Sequence, residues 1–259
     1  GVHTMHLKTL LAGLSLRSAT ADMETEITRI SYDSRTTAPG DVFVAMTGFA
    51  TDGHAYIGKA VAAGAAAVVC ERPPEDSSVP YVLVENSRRA LAVMAANYYG
   101  HPADSMTMVA VTGTNGKTTT TYLLKAILEQ ELGAKVGLIG TNQDLIGDEV
   151  VPTERTTPES LELQELFARM RSAGCTHVVM EASSHALALD RVYGIHYAVG
   201  IFTNLTQDHL DFHKTMEAYC DAKAILFQNC DVGVCNADDP WTERLLQNAA
   251  CRQYFYAEP

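Results

Sequence analysis

The chain has 259 residues, 47% of them apolar, and a formal net charge of −12. This length suits one large domain or two ordinary ones, with enough apolar residues for a buried core. The negative charge argues against binding to a nucleic-acid backbone, which needs clustered lysine and arginine, and no apolar run reaches the roughly 18 residues of a membrane span.

The first hundred residues combine short apolar strands with helices. Strands are predicted at 42–46, 66–70 and 81–84. A helix over 54–63 is expected to end at Gly64, and the helix that contains Leu91, Met94, Ala95 and Tyr98 at Gly100, because glycine readily adopts the positive φ of a helix C-terminus. The pattern predicts a small N-terminal α/β domain over residues 1–102.

Residues 101–105 are predicted as a linker. The second domain is predicted over residues 103–259, where strands and helices alternate. The predicted strands are 106–111, 136–139, 177–180, 199–202 and 232–235. Helices separate most of these strands. The apolar face of one helix is formed by Leu123, Leu124, Ile127, Leu128 and Leu132, and a looser face of another by Leu161, Leu163, Leu166, Phe167 and Met170. This alternation predicts a mostly parallel sheet with helices on both faces, which binds ligands at the carboxyl ends of its strands.

The segment 109–119 carries the strongest local signal, an apolar strand that enters a glycine-containing loop followed by Gly116, Lys117, Thr118 and a helix. Position 111 is valine, so only G-x-x-G-K-T of the full phosphate-loop pattern is present. Backbone N–H groups at such a helix N-terminus bind phosphate oxygens. Lys117 can reach the β- and γ-phosphates, and the Thr118 hydroxyl can bind Mg²⁺.

Other polar residues allow two interpretations each. Glu181 follows an apolar strand, where it is either a Mg²⁺ ligand or a solvated strand-end residue. Arg191 suits a carboxylate or phosphate, or else a surface salt bridge. Lys223 lies on a helix, where a lone lysine is normally a surface residue. The cluster of Asp208, His209, Asp211 and His213 is either a transition-metal site or a polar loop with structural histidines.

The cysteine pattern indicates a reducing compartment. None of the six cysteines forms a C-x-x-C pair, and they are scattered through apolar segments at Cys70, Cys175, Cys220, Cys230, Cys235 and Cys251. The N-terminus also lacks the basic-then-apolar pattern of a signal peptide. We therefore expect reduced core cysteines in a cytoplasmic protein.

The loop T-G-T-N-G-K-T-T at 112–119 resembles the ATP-binding loop of the Mur ligases, which build the peptidoglycan stem peptide. Similar motifs follow in order: M-E-A-S-S-H at 180–185, F-T-N-L at 202–205, D-H-L-D-F-H at 208–213 and N-A-D-D at 236–239. Upstream, Y-D-S-R at 32–35 and P-G-D-V-F-V-A at 39–45 resemble the family's uridine-nucleotide domain. Together with T-T-P at 156–158, these motifs indicate the MurE type.

The resemblance implies an ATP- and Mg²⁺-dependent ligase of peptidoglycan synthesis, acting as a monomer in the cytoplasm. Such an enzyme adds a diamino acid, meso-diaminopimelate or L-lysine, to UDP-N-acetylmuramoyl-L-alanyl-D-glutamate through an acyl phosphate. Residues 1–102 would bind the uridine nucleotide, and residues 103–259 would be a truncated central ATP-binding domain. Family members have three domains, so the C-terminal domain that selects the amino acid is expected to be absent.

Site residues follow from the same resemblance. ATP binding is implied for Gly113, Thr114, Asn115, Gly116, Lys117, Thr118, Thr119 and Asn236. Metal binding is implied for Thr118, Glu181, His209 and Lys223, the last carboxylated by carbon dioxide, and the catalytic set is Lys117, Glu181, His209 and Lys223. Binding of the UDP-sugar-peptide is implied for Tyr32, Ser34, Phe49, Ala50, Thr51, Arg155, Thr156, Thr157, Ser183 and Arg191, with Arg155 standing where the family can have asparagine.

Three alternatives remain open from the sequence. One is another ligase of the superfamily, such as a folylpolyglutamate synthetase-like enzyme, which would leave the uridine-nucleotide motifs unexplained. The second is a fragment that binds substrates but turns over weakly or not at all. The third is a metallohydrolase built on residues 208–213, which would leave the phosphate loop unexplained.

Overall fold

The computed structural model describes residues 3–48, 51–152, 158–208 and 210–259, without the side chains of residues 210 and 211. The chain folds as two units, Gly1–His101 and Pro102–Pro259. Within the described ranges, no helix is long and apolar enough to cross a membrane.

Over residues 3–48 and 51–101, the first unit has short strands and three α-helices. In chain order these elements are β1 (Met5–His6), α1 (Leu7–Leu10), β2 (Ser18–Ala19), β3 (Glu26–Ile27), β4 (Ile30–Ser31), β5 (Val42–Val44), α2 (Ile57–Ala62), β6 (Ala67–Cys70), β7 (Tyr81–Leu83) and α3 (Ser87–Tyr99). β1 and β3 form an antiparallel pair, and the main sheet has the order β2-β7-β6-β5-β4, in which only β2 is antiparallel to its neighbour.

Local signals account for the helix ends in this unit. Asn86 caps α3 by accepting a hydrogen bond from Arg89 N at 3.0 Å, and Gly100 ends it with φ +75°. The predicted helix over 54–63 begins as a 3₁₀ helix, Gly53–Tyr56, and continues as α2. β5 and β6 are buried along their whole length, which is why they appear in the sequence as uninterrupted apolar runs.

The second unit alternates strands and helices, as predicted. Its elements are β8 (Thr107–Thr112), α4 (Lys117–Leu132), β9 (Val136–Ile139), β10 (Asp144–Ile146), β11 (Glu149–Val151), α5 (Ser160–Ser172), β12 (His177–Glu181), α6 (Ser184–Ala188), β13 (Tyr197–Phe202), α7 (Leu210–His213), α8 (Met216–Phe227), β14 (Cys230–Asn236), α9 (Thr242–Leu245) and β15 (Arg252–Tyr256). The predicted α/β fold class is confirmed.

Among the described residues of this unit, eight strands form one sheet in the order β11-β10-β9-β12-β8-β13-β14-β15. The six strands from β9 to β15 are parallel, and β10 and β11 form an antiparallel edge. The chain runs from β8 outward to β9, returns to β12, and then crosses β8 to reach β13. The carboxyl end of β8 is therefore the topological switch point, where open α/β sheets bind ligands.

The helix α4 has a different buried face from the one predicted. Leu124 and Leu128 pack toward Val109, Val136 and Val179 of the sheet. The other three predicted core residues are more than half exposed, namely Leu123 (59%), Ile127 (54%) and Leu132 (61%). Thr121 and Lys125 take their place on the buried side, so the predicted apolar face of five residues was wrong in three positions. An ion pair between Lys125 and Glu129 makes the burial of the lysine tolerable.

The predicted linker is mostly structured. Pro102–Ser105 is a 3₁₀ helix of the second unit, in which Pro102 is buried and Ser105 Oγ donates to Pro102 O at 3.0 Å. It packs beside α5, and this contact explains why a proline-containing segment adopts regular structure. All six cysteines lie in the described residues and are free thiols, five of them buried.

Candidate functional site

The phosphate-type loop connects β8 to α4 at the switch point. Gly113 and Gly116 have φ values of +148° and +86°, which non-glycine residues rarely adopt. The loop is braced by the segment after β13: Asn204 accepts from Asn115 N through its side chain at 3.0 Å, and Thr203 Oγ1 donates to Asn115 O at 2.7 Å. In the sequence these two residues belong to the F-T-N-L motif, and their bracing role was not predicted.

The first turn of α4 presents backbone donors at this loop. Its first intrahelical hydrogen bond runs from Thr120 N to Gly116 O at 3.0 Å. The N–H groups of Lys117, Thr118 and Thr119 therefore have no acceptor within the helix. A helix N-terminus of this kind favours an anion because N–H groups and the helix dipole point toward it. The geometry suits phosphate oxygens.

A methyl group at Gly113 is expected to disrupt the loop. A Cβ there would lie 1.9 Å from Thr203 Oγ1, besides requiring positive φ. We expect Gly113→Ala to lower the free energy of unfolding by roughly 2–4 kcal/mol, from steric overlap and backbone strain. Gly133→Ala is the matched control, because Gly133 also has positive φ (+59°) but no atom within 4 Å of its Cβ position. Chemical denaturation of both variants tests this, and equal destabilisation would contradict it.

Two lysines share one carbonyl oxygen at the loop. Lys117 Nζ donates to Gly113 O at 2.6 Å, and Lys223 Nζ donates to the same oxygen at 3.1 Å. Lys223 is only 1% exposed, and its Nζ lies 4.6 Å from the centre of the Tyr219 ring. The expectation from residue type alone, a surface lysine on α8, was therefore wrong, because α8 turns this face toward the sheet.

Burial controls the protonation of both amines. It lowers the pKa of Lys117, although the charges of Glu181 and Asp208 oppose the shift. Burial, and then the neighbouring charge of Lys117, lower the pKa of Lys223 to about 7, with Asp208 again opposing. A substantial fraction of Lys223 is therefore an uncharged amine near neutral pH, and an uncharged amine is a nucleophile.

Glu181 ends β12 beside the loop, where the sequence placed it. Thr118 Oγ1 donates to Glu181 Oε1 at 3.1 Å. A hydroxyl and a carboxylate are the hard oxygen ligands that Mg²⁺ prefers next to phosphates, so these two residues fit the metal that the resemblance implies. Their roles as ligands stay a prediction.

A cavity of about 550 Å³ extends from the loop. Lys117 and Glu181 line one part of it, and Ser183 and Arg191 line another. Ser183 caps α6 by accepting from Ala186 N at 3.1 Å, which orients its side chain. Arg191 Nε lies 3.4 Å from Glu159 Oε1 with its side chain 18% exposed, so this arginine is both ion-paired and part of the cavity wall.

The first unit contains a separate cavity of about 460 Å³. Tyr32, Ser34 and Thr51, all predicted substrate-binding residues, line it. The wall also has aromatic rings and cationic side chains that were not predicted from the sequence: Phe43, Tyr56, Lys59 and Arg88. Such rings can stack on a base, and such cations can bind phosphates.

Asn236 is a described residue, whereas six other predicted site residues are not. Asn236 ends β14. It donates to Thr203 O at 2.9 Å and accepts from Asp238 N at 2.9 Å, so it holds the segment after β13 that braces the phosphate loop. Its contact with adenine stays a prediction. Six predicted site residues lie outside the described residues: Phe49, Ala50, Arg155, Thr156, Thr157 and His209.

The cluster at 208–213 is described only in part. His213 is buried and packs against Tyr219, with 5.3 Å between the ring centres. In the described part of the chain, no three His, Cys, Asp or Glu side chains converge to hold a metal ion. His209 and the side chain of Asp211 lie outside that part, so a transition-metal site at 208–213 stays a prediction.

The second unit has a mostly parallel sheet with a phosphate-type loop at its switch point, so it is an α/β domain of the phosphate-loop class. Residues 111–258 match the model of the Mur ligase middle domain, and residues 26–99 match the model of the Mur ligase family, catalytic domain. The chain belongs to the Mur ligase family.

Relatives and solved structures agree with this assignment. The UDP-N-acetylmuramoyl-L-alanyl-D-glutamate--2,6-diaminopimelate ligase of Clostridium tetani is 48% identical over 257 residues, which cover 98% of this chain and 53% of that protein. A solved structure of a ligase with this name has a TM-score of 0.80 and 26% identity, covering 98% of this chain and 53% of that one. The MurF ligase of Thermotoga maritima in complex with ADP has a TM-score of 0.55 and 25% identity, covering 88% of this chain and 50% of that one. The chain spans about half the length of the curated relatives it matches.

Proposed function

We propose that this chain supplies the nucleotide and UDP-sugar-peptide sites of an ATP-dependent ligase of peptidoglycan synthesis. The reaction joins a diamino acid to the D-glutamate carboxylate of UDP-N-acetylmuramoyl-L-alanyl-D-glutamate. The name and 48% identity of the relatives support the substrate class, and the ADP-bound structural neighbour supports the nucleotide. Structures of FolC and FPGS among the neighbours have under 20% identity and cover 64–65% of this chain, which favours the muramyl substrate over the folate alternative.

One observation carries the proposal: a single cavity joins the phosphate loop to the predicted sugar-peptide residues. Lys117 and Glu181 line it beside the loop, and Ser183, the N-cap of α6, and Arg191, three residues after α6, line it as well. An acyl phosphate forms only where a substrate carboxylate and a terminal phosphate are held within reacting distance of each other. This cavity offers space for both, with a cation for each anion, Lys117 for the phosphate and Arg191 for the substrate carboxylate.

The proposed ligase reaction has two steps. The substrate carboxylate attacks the γ-phosphorus of ATP, which forms an acyl phosphate and releases ADP. The amine of the diamino acid attacks the acyl carbon and loses a proton, which forms the amide and releases inorganic phosphate. Lys117 and the backbone N–H groups of Lys117, Thr118 and Thr119 stabilise the negative charge of the transferring group. Bound Mg²⁺, held by Thr118 and Glu181, would neutralise further phosphate charge.

Lys223 is proposed to react with carbon dioxide. Its uncharged amine would form an N–C bond to CO₂ and release one proton, which yields an anionic carbamate. A pKa of about 7 and nearly complete burial support this role, because the amine is nucleophilic and the product is shielded from water. The carbamate would place a negative charge beside Lys117, where an uncarboxylated Lys223 places a positive one.

A second candidate function is substrate binding without efficient turnover by this chain alone. It is favoured by the coverage of the relatives, of which the chain matches about half. The diamino acid has no predicted contact among the residues of this chain. Binding of ATP and of the UDP-sugar-peptide would then be measurable, whereas amide formation would need residues from elsewhere.

Calorimetric titration with UDP-N-acetylmuramoyl-L-alanyl-D-glutamate tests the proposed function, after circular dichroism has verified folding. We expect saturable binding by the unaltered chain and its loss in the Ser34→Ala, Arg191→Ala double variant, since each substitution removes a polar group from one cavity wall. The matched control is Ser18→Ala, Arg252→Ala, which changes exposed residues of β2 and β15. A folded chain that does not bind this substrate would contradict the proposal.

A further inference from the structure

The carboxylate of Glu181 is held by a residue that belongs to no recognised motif. β9 and β12 are parallel neighbours, with Ile139 paired to Met180. Their next residues therefore meet at the carboxyl edge of the sheet, which places the turn after β9 beside Glu181. Thr141 occupies that turn and, together with Gly140, lines the same cavity as Lys117 and Glu181.

Three hydrogen bonds reach the two oxygens of this carboxylate. Thr141 N donates to Oε2 of Glu181 at 2.8 Å, and Thr141 Oγ1 donates to Oε1 at 3.0 Å. Thr118 Oγ1 donates to Oε1 at 3.1 Å. The last torsion of a glutamate is broad and weakly defined by itself. One donor on each oxygen, both from Thr141, fixes the plane of the carboxylate.

The turn is shaped to leave room for this carboxylate. Gly140 N donates to Gln143 O at 3.1 Å and to Asp144 Oδ1 at 3.3 Å, which holds the turn closed. A Cβ at position 140 would lie 2.9 Å from Glu181 Oε2, closer than such contacts occur. Glycine at this position is therefore what allows the backbone of the turn to approach the carboxylate.

We propose that Thr141 is a positioning residue that orients Glu181 toward the divalent cation bound with the nucleotide. This inference rests on the proposed function, because it assumes that Thr118 and Glu181 are the cation's protein ligands. An ionised carboxylate has about four acceptor positions, so three hydrogen bonds leave one for a cation. When the Thr118 hydroxyl turns to the cation, the two bonds from Thr141 remain and preserve the carboxylate's orientation. Such outer partners set ligand geometry and metal affinity.

Mn²⁺ binding, followed by electron paramagnetic resonance in the presence of a non-hydrolysable ATP analogue, tests the inference in this chain. Thr141→Val keeps the side-chain shape and removes the hydroxyl donor to Oε1. We expect its Mn²⁺ affinity to fall by about 10- to 100-fold, the usual effect of losing an outer partner. Thr141→Ser keeps both donors and should restore most of the affinity. Gly140→Ala should also weaken Mn²⁺ binding, because its methyl group displaces the Glu181 carboxylate.

Two further measurements separate positioning from a general structural effect. Affinity for the ATP analogue in EDTA should be equal in Thr141→Val and the unaltered chain, because the side-chain hydroxyl of Thr141 donates to the Glu181 carboxylate. Thr141 is exposed, so the variant should fold normally. Thr107→Val, at the exposed opposite end of β8, is the control and should bind Mn²⁺ normally.

The outcomes separate the proposed nucleotide site from the positioning role of Thr141. If the unaltered chain binds neither the analogue nor Mn²⁺ with it, the proposed nucleotide site is wrong. If the unaltered chain binds both, and Thr141→Val binds Mn²⁺ equally well, the nucleotide site stands and the positioning role of Thr141 is overturned. A loss of analogue affinity in EDTA equal to the loss of Mn²⁺ affinity would also overturn it, since the substitution would then have damaged the whole site.

Discussion

Lys117→Ala is expected to weaken nucleotide binding by this chain, and to abolish ATP-dependent phosphate release in any form of the protein that shows it. Lys117 is the half-buried cation of the loop, held at 2.6 Å from Gly113 O and directed into the cavity. A charge-assisted bond to phosphate contributes roughly 1.5–3 kcal/mol, and in a phosphoryl transfer it also stabilises the charge of the transition state. Affinity should therefore fall by at least about tenfold. Calorimetry with Mg²⁺ and an ATP analogue measures the first effect, and a phosphate assay measures the second.

The control for this prediction is Lys135→Ala. Lys135 is exposed, precedes β9 at the opposite end of the sheet, and donates to Ala173 O at 2.8 Å. Lys135→Ala removes a lysine that donates to a backbone carbonyl, as Lys117→Ala does, but away from the cavity. Unchanged nucleotide affinity and phosphate release in Lys117→Ala would rule out the loop as the phosphate site.

Lys223→Met is expected to make the protein more stable at neutral pH and to flatten the pH dependence of its stability, in buffer depleted of carbon dioxide. The pKa of Lys223 is about 7 in the folded chain and about 10.4 in an unfolded one. Between these values the unfolded state binds a proton that the folded state does not, so the free energy of unfolding rises with pH. Below about pH 7 both states are protonated and the full cost of the buried charge applies, on the order of a few kcal/mol. Methionine removes this cost at every pH.

Urea denaturation at several pH values between about 7 and 10 measures the slope for both proteins. Lys135→Met is the matched control and should keep the slope of the unaltered chain, because Lys135 is exposed. An equal slope in Lys223→Met and the unaltered chain would contradict the prediction. Addition of bicarbonate should then add about 44 Da, one CO₂, to the unaltered chain under gentle mass spectrometry, and nothing at this position in Lys223→Met.

The sequence by itself determined the order of elements and the position of the phosphate loop. The strands β5, β6, β8 and β12 were visible because parallel strands buried on both faces need continuous apolar residues. The end of α3 at Gly100 and the loop before α4 were visible because glycine and the N-terminus of a helix have local requirements. Such features depend on a few neighbouring residues, and they appear in the sequence wherever they occur in the structure.

The tertiary structure alone decided which side chains meet. Residue type suggested that Lys223 is exposed, but the packing of α8 against the sheet buries it beside Gly113 O. Helical spacing suggested five core leucines and isoleucines in α4, but the helix contacts the sheet along a narrower strip. Thr141 reaches Glu181 from 40 positions earlier, through the pairing of β9 with β12. These contacts depend on strand order and helix rotation, which are set by the free energy of the whole fold and leave no local pattern in the sequence.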